Sequence, residues 1–566
     1  MRNTFYSGGA ALRIAALLVA VGLITPLAHG SQGPSQAEAQ AHVALQEGRF
    51  QDAYAALRPA LEAEPERSDL WFLLGQIVTG MGQPARALQA YDSSIELNPE
   101  VPSPWFARGI ALLSLGNYTE SVVSFEHFVE MAPGRPEVAL YLGIARLRDG
   151  DPTAALQAFD MADPAASDHG EVIRFRVEAL RTLGEMTQAI NTAGAYLEID
   201  PEYQPLRFEM ALAMAAAGRD TEAGEALSAA ALADPPFPAA VIEFARALRA
   251  ADTREKQIEA AAAYRHGLDA FPTDSAMLAE LATLYVDLGL EEEAREVATQ
   301  VIDVAPNNPE AMLVAGNILL RVRRPQEALK ALELAAAVAP DETFVLHHRG
   351  LALVELRRFD EALTVFDRAL AIDSTLTATR IEAARAALLV AEPERAVALM
   401  EGAGDSIDND AEGLALLGNA YVQTLRFGDA ITPLRQALDL DLDLAEAPYL
   451  LARAYRAIGQ DQAAADALAE FELRADQRAA NQQADGNAEA YRVEQLRTRA
   501  AVYNAERRFA EAIAVLESAI EIRNDDAHLH DLLADAYEGT GDTNQAAIMR
   551  QRADELRRSP AARCSA

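Results

Sequence analysis

Residues 102–135 read PSPWFARGIALLSLGNYTESVVSFEHFVEMAPGR, and the fold follows from the spacing within this window. Trp105, Arg108-Gly109, Leu112, Gly116, Ser121, Phe125, Phe128 and Pro133 fall at positions 4, 7–8, 11, 15, 20, 24, 27 and 32 of thirty-four. Bulky residues at 4, 7, 11 and 24 recur at helical spacing, which predicts two amphipathic helices. Small residues at 8 and 20 let the two helices approach closely where their axes cross. Glycine at 15 takes the positive φ that ends the first helix. Proline at 32 stops the second helix and sets the turn into whatever follows.

The preceding window, 68–101, repeats the pattern with Trp71, Leu74-Gly75, Gly82, Ala87, Tyr91, Ser94 and Pro99. Carried outward, the register gives units at 34–67, 68–101, 102–135, 136–169, 170–203 and 204–237 without a gap. A three-residue insertion lengthens 238–274, and the spacing resumes at 275, 309, 343, 377, 411 and 445. The unit at 377–410 departs most, with Ala391 in place of the turn glycine and Gly402-Ala403-Gly404 at its end. The polar stretch 479–492 then interrupts the period, read as a loop in preference to a helix extension, before units at 493–526 and 527–558.

This pattern resembles the tetratricopeptide repeat. The resemblance implies an all-α, right-handed superhelical solenoid of about fifteen helix–turn–helix units, with the first helix of each lining an inner groove. The expected organisation is a signal peptide at 1–30, a solenoid of about thirteen repeats at 31–478, the polar segment at 479–492, two further repeats at 493–558 and a disordered tail at 559–566. Repeats that cover nearly the whole chain leave no room for a catalytic domain of ordinary size.

Positions 2, 5, 9 and 12 share a helical face opposite the packing residues, so their occupants are the part of the sequence least explained by folding. They yield a candidate partner-binding groove of Phe72, Gln76, Phe106, Phe208, Arg246, Asn317, His347, Arg385, Asn419, Tyr449 and Arg453. Spaced aromatics and polar groups suit an extended segment or an amphipathic helix. Some tetratricopeptide domains clamp terminal carboxylates with lysine at position 5 and asparagine at 9. Here Leu313 and Ala415 stand at position 5 beside Asn317 and Asn419, so that clamp is absent.

The charge balance bounds the partners. Lys+Arg 49 against Asp+Glu 86 gives a net charge of −37, with Lys256 and Lys330 the two lysines. Such a surface repels phosphate backbones and disfavours nucleic acid, while a partner with a basic patch would be attracted. The N-terminus carries Arg2 and Arg13 ahead of an apolar run, Ile14–Ile24, followed by Ala28 and Gly30, which reads as a signal peptide cleaved before Ser31. The run is too short to span a membrane, which takes roughly 20 residues. The expected location is therefore a bacterial periplasm, with an uncleaved N-terminal anchor as the alternative.

No chemical constellation competes with this reading. The one cysteine, Cys564, excludes an internal disulfide. His347-His348 and His528/His530 diverge on a helix, and the acidic run 405–410 lacks the later glycine and glutamate of a calcium loop. The expected function is a non-enzymatic, exported interaction scaffold in envelope complex assembly, without cofactor, metal or catalytic residue. The alternative is a periplasmic component of polysaccharide export or cell-surface carbohydrate handling, motivated by the spaced inner aromatics.

Overall fold

The computed structural model describes residues 35–558 except 167, 252, 442–443, 445 and 485–487; side chains at 474–484 and 488–490 also fall outside the description. The expected signal segment 1–30, its cleavage point at Ser31, and the tail 559–566 with Cys564 lie outside the described residues. Among those described, thirty α-helices and two short 3-10 turns occur, and no strand. The chain divides into two compact units, one ending at Ala233 and one beginning at Asp234.

Each unit is a run of antiparallel helix pairs in the expected register. In the decisive window the first helix is Pro102–Leu115 and the second Tyr118–Met131. Gly116 has φ +81, and the amides of Gly116 and Asn117 donate to the carbonyls of Leu113 (3.2 Å) and Leu112 (2.9 Å). This closes the helix C-terminus with both bonds of a Schellman motif. At the crossing, a Cβ on Gly109 would fall 2.7 Å from the Phe125 ring, so position 8 must stay bare for position 24 to seat. The Ser121 hydroxyl donates to the Gly109 carbonyl at 2.7 Å, binding the second helix to the first at that point. In the second unit Gly350 and Phe366 repeat the fit, with a Cβ 2.1 Å from the ring.

Repeats without a turn glycine keep the same backbone. Ala391 adopts φ +61, and Arg323, Arg357, Leu425 and Arg507, at the equivalent position 15, lie between +57 and +62. These residues make up the non-glycine left-handed positions of the described chain, and all five belong to the second unit. An L side chain there costs roughly 1 kcal/mol relative to glycine. Leu425 is 68% exposed, so its side chain recovers little by burial. Leu425→Gly is expected to raise stability by about 0.5–1 kcal/mol, read as a higher urea midpoint with an unchanged slope.

Two departures from the sequence reading concern the C-terminal region. The stretch 479–492, expected as a loop, is helical at every described position, continuing Asp461–Ala484 and opening Ala488–Ala505. Ala488–Ala505 also does more than stack on its neighbours in sequence: it packs along Arg254–Ala270, within the same unit. Tyr503 Oη donates to Glu293 Oε1 at 2.7 Å, Arg499 Nη2 to Glu293 Oε2 at 3.3 Å, and Tyr285 Oη to Glu506. The second unit thus closes on itself across more than 200 residues of sequence.

Candidate functional site

Consecutive first helices touch one another, so much of the face expected to be free is packed. Phe106 is fully buried, meeting Phe128 at 5.1 Å and Phe125 at 5.7 Å within its own pair and Tyr141 of the next pair edge-on at 5.7 Å. Position 5 therefore points into the seam between pairs, where an aromatic ring gains its full burial. Phe208 and Gln76 are buried as well, and Phe72 is half-buried against the same core as Tyr91. These four lie in the first unit and the other seven candidates in the second.

In the second unit the polar candidates are engaged by other side chains, several of them across pairs. Asn317 Nδ2 donates to His348 Nε2 at 2.8 Å, and His348 Nδ1 donates to the Phe344 carbonyl at 2.8 Å, which fixes the tautomer. His347 Nδ1 shares a 3.0 Å hydrogen bond with the Thr379 hydroxyl. Burial and the adjacent His348 ring bring its pKa down to about 4, so His347 is neutral at physiological pH. Arg246 Nε donates to Glu280 Oε1 at 3.0 Å, and the chain of pairs runs on through Arg249, Asp287 and Arg321. Arg385 meets Glu382 at 3.4 Å and Glu412 at 3.3 Å, and Asn419 accepts from Gln423 at 3.1 Å. The contacts to His348, Thr379, Glu280 and Glu412 link successive first helices, while those to Glu382 and Gln423 stay within one helix.

Tyr449 and Arg453 differ. Tyr449 is 51% exposed, with Phe471 at 5.9 Å. Arg453 and Arg456, one turn apart, make no ion pair or hydrogen bond among the described residues. Together with Phe427, Ala452 and Leu468 they line a cleft of about 370 Å³. Aromatic surface beside two guanidiniums with free donors can hold a carboxylate or a backbone carbonyl bidentately.

The first unit contains a charged site that the groove list above leaves out. In the pair 170–203, positions 2, 5, 9 and 12 are Glu171, Arg174, Glu178 and Arg181, an alternating stripe on the helix His169–Thr182. Arg148 grips Glu178 bidentately at 2.7 and 3.1 Å, and Arg174 donates to Glu171 at 2.7 Å, its guanidinium stacked 3.9 Å over Phe175. Tyr203, the last residue of the same pair, also donates to Glu171. Arg181 alone of the three arginines lacks a hydrogen-bonded carboxylate: its Nη2 stands 3.6 Å from Glu209 Oε2. Glu209 is 6% exposed, and its Oε2, like Gln204 Oε1, Arg148 Nε and Arg181 Nε, is buried without a hydrogen-bond partner.

Burial, aided by the nearby Glu178 carboxylate, lifts Glu209 to about 7 against the pull of Arg181, Arg174 and Arg148. An acid whose folded pKa exceeds its unfolded value is most favourable below the unfolded pKa and loses stability as pH rises through the folded one. Glu209→Gln is therefore expected to be near neutral below pH 4.5 and to stabilise by about 3 kcal/mol above pH 7, checked by urea unfolding at both ends. The signal for this site was present in the register, as charged residues filling every outward position of one pair.

No group of three or more His, Cys, Asp or Glu arranged to hold a metal ion occurs among the described residues, and none of their helices is long and apolar enough to cross a membrane.

Comparison with known proteins adds the family. No curated protein matches the chain. Among solved structures, MamA from Desulfovibrio magneticus RS-1 is 22% identical, covering 30% of this chain and 96% of its own, with a TM-score of 0.28. Yeast Tom70 is 16% identical over 75% of this chain and 96% of its own, with a TM-score of 0.31. YrrB, described as a TPR protein with an unusual peptide-binding site, is 20% identical over 31% of this chain and 89% of its own, with a TM-score of 0.28. The tetratricopeptide-repeat family model matches residues 38–102, 79–126, 106–169, 279–343 and 313–377, segments that fall in both units. With helix pairs in one register and the family model matching segments of each unit, the chain carries tetratricopeptide repeats in both units.

Proposed function

We propose that the chain is a protein-interaction scaffold whose first-helix faces take extended segments of partner proteins. The observation that carries this reading is that helix pairs account for the described chain from 35 to 558, so the surface that folding does not use lies on those faces. The cleft at Tyr449, Arg453 and Arg456 supports it, offering an aromatic contact and unfilled donors within one site. The signal-like segment at 1–30 supports export to a bacterial envelope, and an assembly role there is the finer form of the proposal.

The polysaccharide alternative rests on a row of inner aromatics. Phe106 and Phe208 are buried, which leaves no such row to stack sugars in the first unit, so support falls to protein segments.

The test is affinity capture from an envelope extract with the full chain, beside a Tyr449→Ala, Arg453→Ala, Arg456→Ala triple variant. A small set of proteins retained by the wild type and reduced at least tenfold by the variant is the expected result, that factor being the loss of one to two bidentate contacts. Equal retention by both would overturn the assignment of the cleft. Substrate turnover by the isolated chain would overturn the scaffold reading.

A further inference from the structure

The stripe on His169–Thr182 carries an imbalance that the rest of the first unit does not explain. Glu171 and Glu178 are taken by Arg174 and Arg148. That leaves Arg181, 30% exposed, facing one buried carboxyl with which it makes no hydrogen bond. Its guanidinium is partly exposed, its Nε is buried without a hydrogen-bond partner, and its nearest counter-charge, Glu209, is the group that burial most opposes ionising.

We propose that Glu209 is an internal competitor for Arg181, so that the first unit takes up a carboxylate of a partner segment at Arg181 together with one proton at Glu209. The inference rests on the scaffold reading and gives one of its faces a ligand chemistry and a control.

The charges around the site set the balance. From Ala139–Arg148 comes Arg148, and from His169–Thr182 come Arg174, Glu178 and Arg181. The helix Met186–Leu197 brings no acidic or basic side chain, and Asp220, Glu222 and Glu225 on Asp220–Ala231 are exposed. With Glu209 ionised, three arginines meet three glutamates counting Glu171, and Arg181 is answered from within. With Glu209 protonated, the cluster holds one uncompensated cation, and that cation is the partly exposed one. A second carboxylate arriving at Arg181 stands close to Glu209 and raises its proton affinity further, because two like charges in a poorly solvated site cannot both persist. Binding therefore requires Glu209 protonated, and it takes up a proton only where the free site is ionised. Affinity holds below neutral pH, falls as pH rises through the range in which Glu209 ionises, and falls again in acid once the partner's own carboxyl protonates near 4.

This arrangement limits what the face accepts in a chain of net charge −37. Screening confines the repulsion of distant acids to roughly 8 Å at physiological ionic strength, so the local excess of arginine governs a contact made at Arg181. The partner chemistry is a single carboxylate on an extended segment, either a glutamate or aspartate side chain or a chain terminus.

The experiment uses the full chain, fluorescently labelled, and three uncharged Gly/Ser/Ala nonapeptides titrated to millimolar concentration by thermophoresis. One carries a central glutamate and an amidated C-terminus, one has glutamine in its place, and one has a free C-terminal carboxylate without glutamate. The expected result is binding of at least one carboxylate peptide at pH 6, weakened about tenfold at pH 8 through the loss of one linked proton, with no binding of the glutamine peptide. Which carboxylate peptide binds assigns the source. Glu209→Gln, close in shape and relieved of the buried charge, is expected to keep the pH 6 affinity at pH 8. Arg181→Gln is expected to lose binding at both. Equal wild-type affinity at the two pH values, pH dependence that persists in Glu209→Gln, or no carboxylate binding at pH 6 would each overturn the proposal. Any of these beside a successful envelope capture leaves the scaffold standing and removes only the proton-linked site; failure of the capture removes the scaffold itself.

Discussion

Phe106→Ala is expected to destabilise the unit that ends at Ala233 by about 3–5 kcal/mol, the range for truncating a large buried aromatic. The ring touches Phe125 and Phe128 of its own pair and Tyr141 of the next, so its loss opens one cavity shared by two interfaces. In a repeat array stability is close to a sum of pair and neighbour terms, and damage to a shared term spreads to both neighbours. The measurement is urea unfolding together with amide hydrogen exchange. Exchange should rise across 102–148 first and remain near wild type in the second unit. A change under 1 kcal/mol would mean that Phe106 is not the seam residue described above and would return it to the list of ligand contacts.

Glu506→Ala is expected to release the helix Ala488–Ala505 from its seat. The Glu506 side chain has no exposed surface, and it accepts from Tyr285 Oη and from Arg508 Nη1 at 3.3 Å, with Arg265 Nε at 3.6 Å. Removing the carboxylate leaves the Tyr285 hydroxyl without its acceptor and takes a counter-charge from Arg265 and Arg508, although Arg508 keeps Glu511 at 3.2 Å and Arg265 keeps Tyr285 Oη at 3.2 Å. Breaking one partner of a buried charged cluster costs about 3–5 kcal/mol. Burial holds the Glu506 pKa above the usual carboxylate range, which marks how little solvent reaches it. Tyr503, the residue that joins Glu293 to the same seam, has its phenol pushed up to about 12 for the same reason. The readout is hydrogen exchange: protection should fall together in 488–505 and in 285–293 while the helices between them keep theirs. Loss of protection along the whole unit would instead mean that the closure supports every pair within it.

The fold was legible because its rules are local. Gly109 and Phe125 lie sixteen residues apart on two helices joined by a short turn, so position 8 and position 24 state their own contact. The turn at position 15 was legible from glycine, and its persistence at Ala391 and Leu425 shows that the two helices on either side hold a backbone that the residue itself disfavours.

The candidate site was legible in part, for a definable reason. Taking 2, 5, 9 and 12 as outward assumes that a first helix packs on one side. Each first helix in fact meets its own partner on one side and the next first helix on another, which widens the buried arc to include position 5. Phe106 and Phe208 fall into it. Arg246 and Arg385 remain outside the core, but neighbouring glutamates answer them at position 6 of the next pair and within the same helix, contacts that a register cannot pair up. Tyr449 and Arg453 stay exposed. Glu171, Arg174, Glu178 and Arg181 could have been found by asking which pair fills all four positions with charge.

What the sequence alone determined is the period, the two helices within it, their crossing and their turns, because each is written in side-chain volume and backbone preference within one thirty-four-residue window. What only the tertiary structure decided is which charges lose water. Glu209, Glu293 and Glu506 read as ordinary surface acids, and nothing in their neighbourhoods along the chain separates them from other glutamates. Glu293 and Glu506 become buried because helices far apart in sequence arrive over them, and Glu209 because neighbouring helix pairs close over it; desolvation, which depends on the whole local packing and on no single neighbour, then sets their charge and their partners.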